Sequence, residues 1–240
     1  MPVPEKLMAA LHGSMFWLPL TLAIYSAATV LYRRYNKASF LNPTLITIAG
    51  IASVIAVWQV PYKAYFEAVS ILHYLLGTAV VALAIPLYHN LNRLRGCWLT
   101  MSLALGAGSL ASASVGIAIA TLAGASTSAV LSLAPKSATA AVSMEIAGLI
   151  GGLPAVTGVL TILTGIIGAV AGPYVLDLAQ IRGPEARGIA LGVAGHGIAT
   201  ARAFSESEIT GSFAGLGMAL NAILTASLLP TLIKFLGLWP

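Results

Sequence analysis

Residues 153–176 read LPAVTGVLTILTGIIGAVAGPYVL and contain no charged side chain. A helix needs about 20 apolar residues to cross the hydrocarbon core of a bilayer, so this stretch predicts a transmembrane helix. Pro154 suits its first turn, because a proline there removes an N–H group that has no partner within the helix. The stretch therefore indicates an integral membrane protein.

The composition of the whole chain leads to the same class of protein. Hydrophobic residues make up 58% and charged residues 8% of the 240 residues, whereas an average soluble domain has about 25% charged residues. Too few charges remain to build a water-facing surface, and lipid chains are the solvent that such a sequence requires. We expect an all-α integral membrane protein, a polytopic helical bundle in the lipid bilayer.

Composition and motifs also exclude several functional classes. The single cysteine, Cys97, rules out an internal disulfide and a cysteine-based metal cluster. The net charge of +5 comes from basic residues scattered over short loops, so no nucleic-acid partner is expected. Nucleotide-binding loops, His-Glu-x-x-His motifs and histidines at metal-ligand spacing are missing from the sequence. We expect neither an enzyme, nor a metal site, nor a cofactor.

Apolar stretches long enough to span a bilayer recur along the chain. Besides 153–176 they cover residues 14–32, 43–60, 73–91, 97–121 and 211–236. Two further stretches are interrupted: residues 127–152 by Pro135-Lys136-Ser137, and residues 188–203 by glycines on both sides of His196. Irregular backbone at membrane depth is tolerated only where it is buried in protein or lines a cavity. The interruptions therefore mark the candidate functional region.

The two halves of the chain resemble each other. Asn42-Pro43-Thr44 opens a helix in the first half as Leu153-Pro154-Ala155 does in the second, and each half has an interrupted stretch, around Gly77 and around His196. Matching interruptions are typical of carriers built from inverted repeats. We expect a single membrane domain over residues 1–240 with the architecture of an elevator carrier, its first repeat at about 10–122 and its second at about 125–240.

The sidedness of the helices stays open. Three groups of basic residues lie between apolar stretches: Arg33, Arg34 and Lys37; Arg93 and Arg95; Arg182 and Arg187. The positive-inside rule places all three groups in the cytoplasm, provided that residues 127–152 return to the side from which they enter. Inverted repeats instead require an odd number of crossings in each half, and the sequence does not decide between these requirements.

Four ionisable residues fall within or beside the interrupted stretches, where an unpaired charge is costly. They are Lys136, Glu145, His196 and Arg202. Each has a structural alternative to a functional role. Lys136 is suited to cap a helix or to snorkel, Glu145 to pair with a basic residue, and His196 to pack as a hydrogen-bonded ring. Arg202 is suited to an ion pair with Glu206 or Glu208 at the membrane interface.

A helix interruption favours anion binding, because it exposes unpaired N–H groups at the positive end of a helix dipole. The candidate substrate-binding residues are Lys136, Ser137 and Thr139 at one interruption, His196, Gly197, Thr200 and Arg202 at the other, and Asn42 at the corresponding helix start of the first half. Glu145 and His196 are the candidates for proton coupling. This set of donors suits a small organic anion.

Several motifs occur in a recognisable order. They are Pro135-Lys136-Ser137-x-Thr139, Ile150-Gly151-Gly152-Leu153-Pro154, Ile181-Arg182, Ala186-Arg187-Gly188 and His196-Gly197-Ile198-x-Thr200-Ala201-Arg202-Ala203. In this order and spacing the chain resembles the LrgB/CidB family of bacterial membrane proteins. It departs from the family pattern at Ala140-Ala141, where Thr-Pro is common, at Gly195, where serine is common, and at Ala199, where glycine is common.

The resemblance implies two functions. The family is named for a holin/antiholin-like role in the control of murein hydrolases and cell lysis. A related plant chloroplast envelope protein exports glycolate and glycerate, and bacterial relatives are linked to pyruvate uptake. We expect a transporter of small monocarboxylates, coupled to protons, with a holin/antiholin-like regulator as the alternative. A bacterial inner membrane, a homodimer and a small LrgA/CidA-like membrane partner are further expectations.

Overall fold

The computed structural model describes residues 14–35, 41–82 and 84–238, and within these residues every regular element is an α-helix. The helices are α1 (Ser14–Arg34), α2 (Pro43–Trp58), α3 (Tyr62–Ala68), α4 (Ser70–Ala82), α5 (Ala84–His89), α6 (Leu91–Leu122), α7 (Thr127–Leu133), α8 (Ala140–Ile150), α9 (Pro154–Leu178), α10 (Pro184–Phe204) and α11 (Glu208–Phe235). The predicted all-α class is confirmed. Lys37, and the part of the predicted first repeat that precedes residue 14, lie outside the described residues.

Within the described residues, four helices are long and apolar enough to cross a membrane: α1, α6, α9 and α11. They coincide with four of the predicted spans. The predicted span 43–60 is a shorter helix, Pro43–Trp58, and the predicted span 73–91 is described in two pieces, α4 and α5, on either side of residue 83. The chain is therefore a helical membrane protein, as its composition requires.

The helices group into two compact units, residues 1–82 and residues 83–240. In the first unit, the wholly buried Trp17 of α1 packs edge-on against Tyr65 of α3, with the ring centroids 5.2 Å apart. Asn42 caps α2, because its Oδ1 accepts hydrogen bonds from the N–H groups of Thr44 at 2.9 Å and Leu45 at 3.3 Å. The two repeats with a boundary near residue 122 stay a prediction.

In the second unit, the chain turns back on itself between α7 and α8. We name residues 134–139 the first reversal. Ser132, at the end of α7, accepts a hydrogen bond through Oγ from the N–H of Leu153 at 2.7 Å, and through its carbonyl from Oγ1 of Thr157 at 2.9 Å. A straight helix would place residues 132 and 153 about 30 Å apart. The change of direction that the positive-inside argument requires of residues 127–152 is therefore present.

The chain also reverses inside α10, at the interruption that the sequence predicts around His196. Gly195 (φ −136°, ψ 18°) and His196 (φ 40°, ψ −136°) leave the helical conformation, and we name this pair the second reversal. Arg187, before the pair, donates from Nε to Oε2 of Glu206, after it, at 2.9 Å. A straight helix would separate these two residues by about 28 Å. Residues 184–194 and 197–204 therefore form a helical hairpin.

An ion-pair cluster closes the base of this hairpin. Arg187, whose side chain is 13% exposed, also donates to Oδ1 of Asp177 at 2.7 Å and to the carbonyl of Ile181 at 3.0 Å. The cluster joins the end of α9, the start of α10 and the turn before α11. Arg187 is therefore a helix residue rather than a loop charge. Within the described residues, Arg202 makes no ion pair with Glu206 or Glu208, and Arg187 holds the carboxylate of Glu206.

Candidate functional site

The two hairpins meet on α9. Their bases lie at opposite ends of this helix, at Leu153 and at Asp177. Between these ends, Oγ1 of Thr161 lies 2.8 Å from Oγ of Ser143 in α8, and the carbonyl oxygen of Thr161 lies 2.8 Å from Nε2 of His196. Thr161 and Ser143 are wholly buried and His196 nearly so. Thr161 thus links the two hairpins inside the bundle.

His196 holds a backbone conformation that favours glycine. At φ 40° it costs of the order of 1–3 kcal/mol for a residue with a side chain. Its ring fits against α9 because position 165 is glycine: a Cβ built there would lie 2.8 Å from Nε2. Since the carbonyl oxygen of Thr161 only accepts hydrogen bonds, Nε2 carries the proton, and Nδ1 is the nitrogen left for a ligand or a second proton.

Glycines bring the second reversal against the backbone of α9. A Cβ on Gly168 would lie 2.9 Å from Cα of Gly195. A Cβ on Gly195 would lie 2.5 Å from Cβ of Ala199, a separation that carbon atoms of real side chains do not show. In this backbone, a side chain at position 195 would therefore overlap that of Ala199.

The ammonium group of Lys136, in the first reversal, reaches α6. Nζ donates to the carbonyl of Ser112 at 2.7 Å and lies 3.5 Å from Oγ of the same residue. Gly116 makes this reach possible, because a Cβ at that position would lie 2.7 Å from Nζ. Lys136 forms no ion pair within the residues that the structure describes. Its charge is therefore compensated by dipoles alone, which favours an anion beside it.

In the described part of the chain, no side chain caps the start of α8. Thr139 is the N-cap residue but makes no capping hydrogen bond through its side chain, so the first turn keeps unpaired N–H groups. Just before it, the carbonyl of Ser137 accepts a hydrogen bond from Nδ2 of Asn221, in α11, at 2.8 Å. Asn221 is wholly buried, and its Oδ1 has no partner in the described part of the chain. Such an unpaired acceptor costs about 1–3 kcal/mol.

A cavity of about 560 Å³ lies between α6 and α10. Small and apolar residues form most of its wall, including Ala104 and Gly108 of α6 and Ala190 and Val193 of α10. Ser112 lines it as well, and this residue also binds Lys136. The cavity therefore lies next to the position at which Ser112 binds the ammonium group of Lys136.

Three other predicted site residues lie after the second reversal on α10. Thr200 is buried and donates through Oγ1 to the carbonyl of its helix neighbour His196 at 2.8 Å. Gly197 faces Met218, because a Cβ on this glycine would lie 3.8 Å from the sulfur atom. Nε of Arg202 is buried and makes no hydrogen bond to the described residues. Arg202 is thus a second basic side chain with unused donors.

Glu145 and Asn42 have different surroundings. Glu145 is exposed on α8, and no basic residue pairs with it in the described chain. Asn42 belongs to the first unit, where the cap of α2 occupies its side-chain oxygen. Their predicted roles, in proton coupling and in substrate binding, stay predictions.

Sequence reasoning missed Thr161, Ser112 and Asn221. Each is a polar residue within an apolar helix, and none belongs to a motif that predicts a ligand. The one available signal was the amide of Asn221 within the long apolar stretch of α11, because polar groups in lipid are costly without a partner. The partners themselves became visible only in the folded chain.

Comparison with known proteins decides the family. The sequence model of the LrgB-like family matches residues 21–235. The chain belongs to this family. Relatives include the uncharacterized protein YwbG of Bacillus subtilis, 34% identical over 90% of this chain and 96% of the relative. The Holin-like protein CidB of Staphylococcus epidermidis is 31% identical over 89% of this chain and 93% of the relative. The Holin-like protein CidB of Staphylococcus aureus is 30% identical over 92% of this chain and 96% of the relative. No solved structure is detectably similar.

The family resemblance drawn from the motifs is thereby confirmed.

Proposed function

We propose that this chain is the membrane-spanning component of a holin-like system and acts with a small LrgA/CidA-like membrane partner. The observation that carries the proposal is its 31% identity, over 93% of the relative's length, to a protein named Holin-like protein CidB. In a bacterial inner membrane, such a component controls the release of murein hydrolases and thereby cell lysis.

Expression in a bacterial strain without its own holin-like proteins tests this function. We expect the chain and its partner together to change the murein hydrolase activity found in the medium relative to the partner alone. Zymography of the medium measures that activity, and immunoblotting controls for equal protein in the membrane. Identical activity with and without this chain would rule the function out.

A second candidate function is the transport of a small monocarboxylate, and the first reversal favours it. Within the described residues, Lys136 has no ion-pair partner and no side chain caps the start of α8. Together the ammonium group and the N–H groups of this helix start are the donors that a carboxylate needs. A holin that opens lesions by assembling simple helices requires neither feature.

The arrangement of the hairpins supports the same candidate. Their bases lie at opposite ends of α9, a helix long enough to cross the membrane. Two hairpins that enter from opposite faces and meet near the middle are typical of carriers with inverted repeats. In this candidate function, His196 or Glu145 couples transport to protons, and the chain works as an elevator within a homodimer.

Flux measurements in liposomes separate the two functions. A carrier takes up labelled glycolate, pyruvate or lactate, and Arg202→Ala and His196→Ala reduce that uptake while the protein stays folded. Leakage of uncharged dyes of similar size indicates a holin-like pore instead. No flux of either kind, with activity only when a partner is co-expressed, indicates a regulator that transports nothing.

A further inference from the structure

The cavity between α6 and α10 has the size and the wall of a binding site for an apolar group. Its volume of about 560 Å³ lies within the range of about 300–1,000 Å³ that is typical of ligand pockets. Apart from Thr100, Ser112 and Glu185, the residues that line it are apolar or glycine. Most of an occupant's surface would therefore contact carbon atoms.

The three polar residues lie at the two ends of this cavity. Gly108 of α6 faces Val193 of α10, because a Cβ on this glycine would lie 3.4 Å from Cγ1 of Val193. Gly108 comes eight residues after Thr100, as Val193 does after Glu185. Helices that run side by side in the same direction therefore place Thr100 and Glu185 at one end and Ser112 at the other. Antiparallel helices would place opposite Thr100 a part of α10 that does not line the cavity.

Lys136 lies at the Ser112 end. Its Nζ donates to the carbonyl of Ser112 at 2.7 Å and lies 3.5 Å from Oγ of the same residue. Residues four apart share a face of a helix, so the glycine that leaves room for Nζ, Gly116, continues the face of α6 that carries Gly108 and Ser112. Lys136 forms no ion pair within the described residues. Ser112 thus contacts both the ammonium group and the cavity.

We infer that this cavity holds the alkyl chain of a medium-chain carboxylate whose carboxylate group binds the ammonium of Lys136. The inference rests on the second candidate function, carboxylate transport, and concerns which carboxylates bind best. The anionic group belongs at the Ser112 end, because the carboxylate of Glu185 at the other end repels it. Thr100 and Ser112 are about 18 Å apart along α6, so an alkyl chain of several carbons has room between them.

Chain length then determines affinity. The ammonium group binds every carboxylate alike through a charge-assisted hydrogen bond. Each further methylene leaves water for the apolar wall and should tighten binding about fourfold, which corresponds to about 0.8 kcal/mol. An acid of two or three carbons uses the cation and leaves most of the cavity empty.

A series of straight-chain carboxylates tests the inference on the unaltered chain. Dissociation constants for acetate, butyrate and hexanoate are measured by calorimetry on the purified protein in detergent, after subtraction of titrations into protein-free detergent. We expect affinity to rise about fourfold with each methylene. Equal binding of all three overturns the inference and leaves carboxylate binding standing, whereas no binding of any of them overturns both. Hexanol that binds as tightly as hexanoate would show an apolar site without anion recognition and also overturn the inference.

Ala104→Leu tests the position of the alkyl chain, because Ala104 lines the cavity two turns before Ser112. The larger side chain occupies space that the inference assigns to the ligand. We expect the ratio of hexanoate affinity to acetate affinity to fall about tenfold. An unchanged ratio would place the alkyl chain elsewhere and overturn the inference. If this variant does not fold, Ala190→Leu on the opposite wall gives the same comparison.

Ala118→Leu is the matched control. Ala118 lies on the same helix and is exposed, but it does not line the cavity. The same gain in side-chain volume at this position leaves the space for the ligand unaltered. This variant therefore keeps the dependence of affinity on chain length, and loss of the dependence here would contradict the assignment to the cavity.

Discussion

The first and second reversals both break a helix, but they are held in different ways. The second reversal comprises Gly195 and His196, pressed backbone to backbone against α9 and closed at its base by the Arg187 cluster. The first occupies residues 134–139 and is held by side chains, Lys136 on α6 and Asn221 from α11. Arg187 has carboxylate partners, whereas among the described residues Lys136 has no ion-pair partner and Oδ1 of Asn221 has no hydrogen-bond partner. The second reversal is thus closed by an ion pair, and the first keeps the unpaired polar groups on which the proposed carboxylate site rests.

Loss of the charge at the base of the second reversal is expected to have the largest effect on stability. Arg187→Met leaves the carboxylate of Glu206, 17% exposed, without its partner. Removal of one member of a buried pair costs about 3–5 kcal/mol, and the solvent around Asp177 lowers our expectation to about 3 kcal/mol. The free energy of unfolding in detergent measures it. The double variant with Glu206→Gln should recover part of the loss, and no recovery would contradict the ion-pair explanation.

Overpacking of the second reversal is expected to cause the next largest loss of stability. Gly195→Ser places a side chain against Ala199 and is expected to cost about 2 kcal/mol. Ala199→Gly removes the nearest overlap, so the double variant should lose less stability than the sum of the two single variants. A double-mutant cycle in unfolding free energy tests the pair. Additive losses would show that the two positions do not share one space.

The strain at His196 predicts a smaller difference between two variants. His196→Ala and His196→Gly both lose the hydrogen bond to Thr161, but only glycine adopts φ 40° without strain. We expect the glycine variant to be about 1 kcal/mol more stable than the alanine variant. Thermal unfolding of the two proteins side by side measures the difference. A more stable alanine variant would show that the reversal relaxes when the ring is removed.

The first reversal should tolerate the loss of its charge. Lys136→Met removes a buried ammonium that has no ion-pair partner among the described residues, so the unfolding free energy is expected to change by less than about 1 kcal/mol. Carboxylate binding, measured by calorimetry, should be lost in the same protein. Lys63→Met is the control for loss of a charge, since Lys63 is exposed and forms an exposed ion pair with Glu67. A loss as large as that of Arg187→Met would remove the contrast between the reversals.

Much of the helical framework was predictable from local pattern. Uncharged stretches such as residues 153–176 predict transmembrane helices, because each residue there has to be compatible with lipid. Lys136 and His196 were recognisable as candidate site residues, because a charge or a glycine pair interrupts an apolar run. The hairpin within α10 was not recognisable from the sequence. Only the contact between Arg187 and Glu206, which are distant along the chain, reveals that the chain turns back.

The sequence by itself determined that this protein is an α-helical membrane protein of the LrgB-like family whose helices are interrupted around Lys136 and His196. Composition and short motifs suffice for that, because each residue's preference for lipid and each motif are local properties. Only the tertiary structure decided that both interruptions are chain reversals linked by Thr161, and that Lys136 and Asn221 serve the same one. These relations depend on which helices are neighbours. In lipid, close packing of small residues and the pairing of a few polar groups set that choice, and neither is visible along the chain.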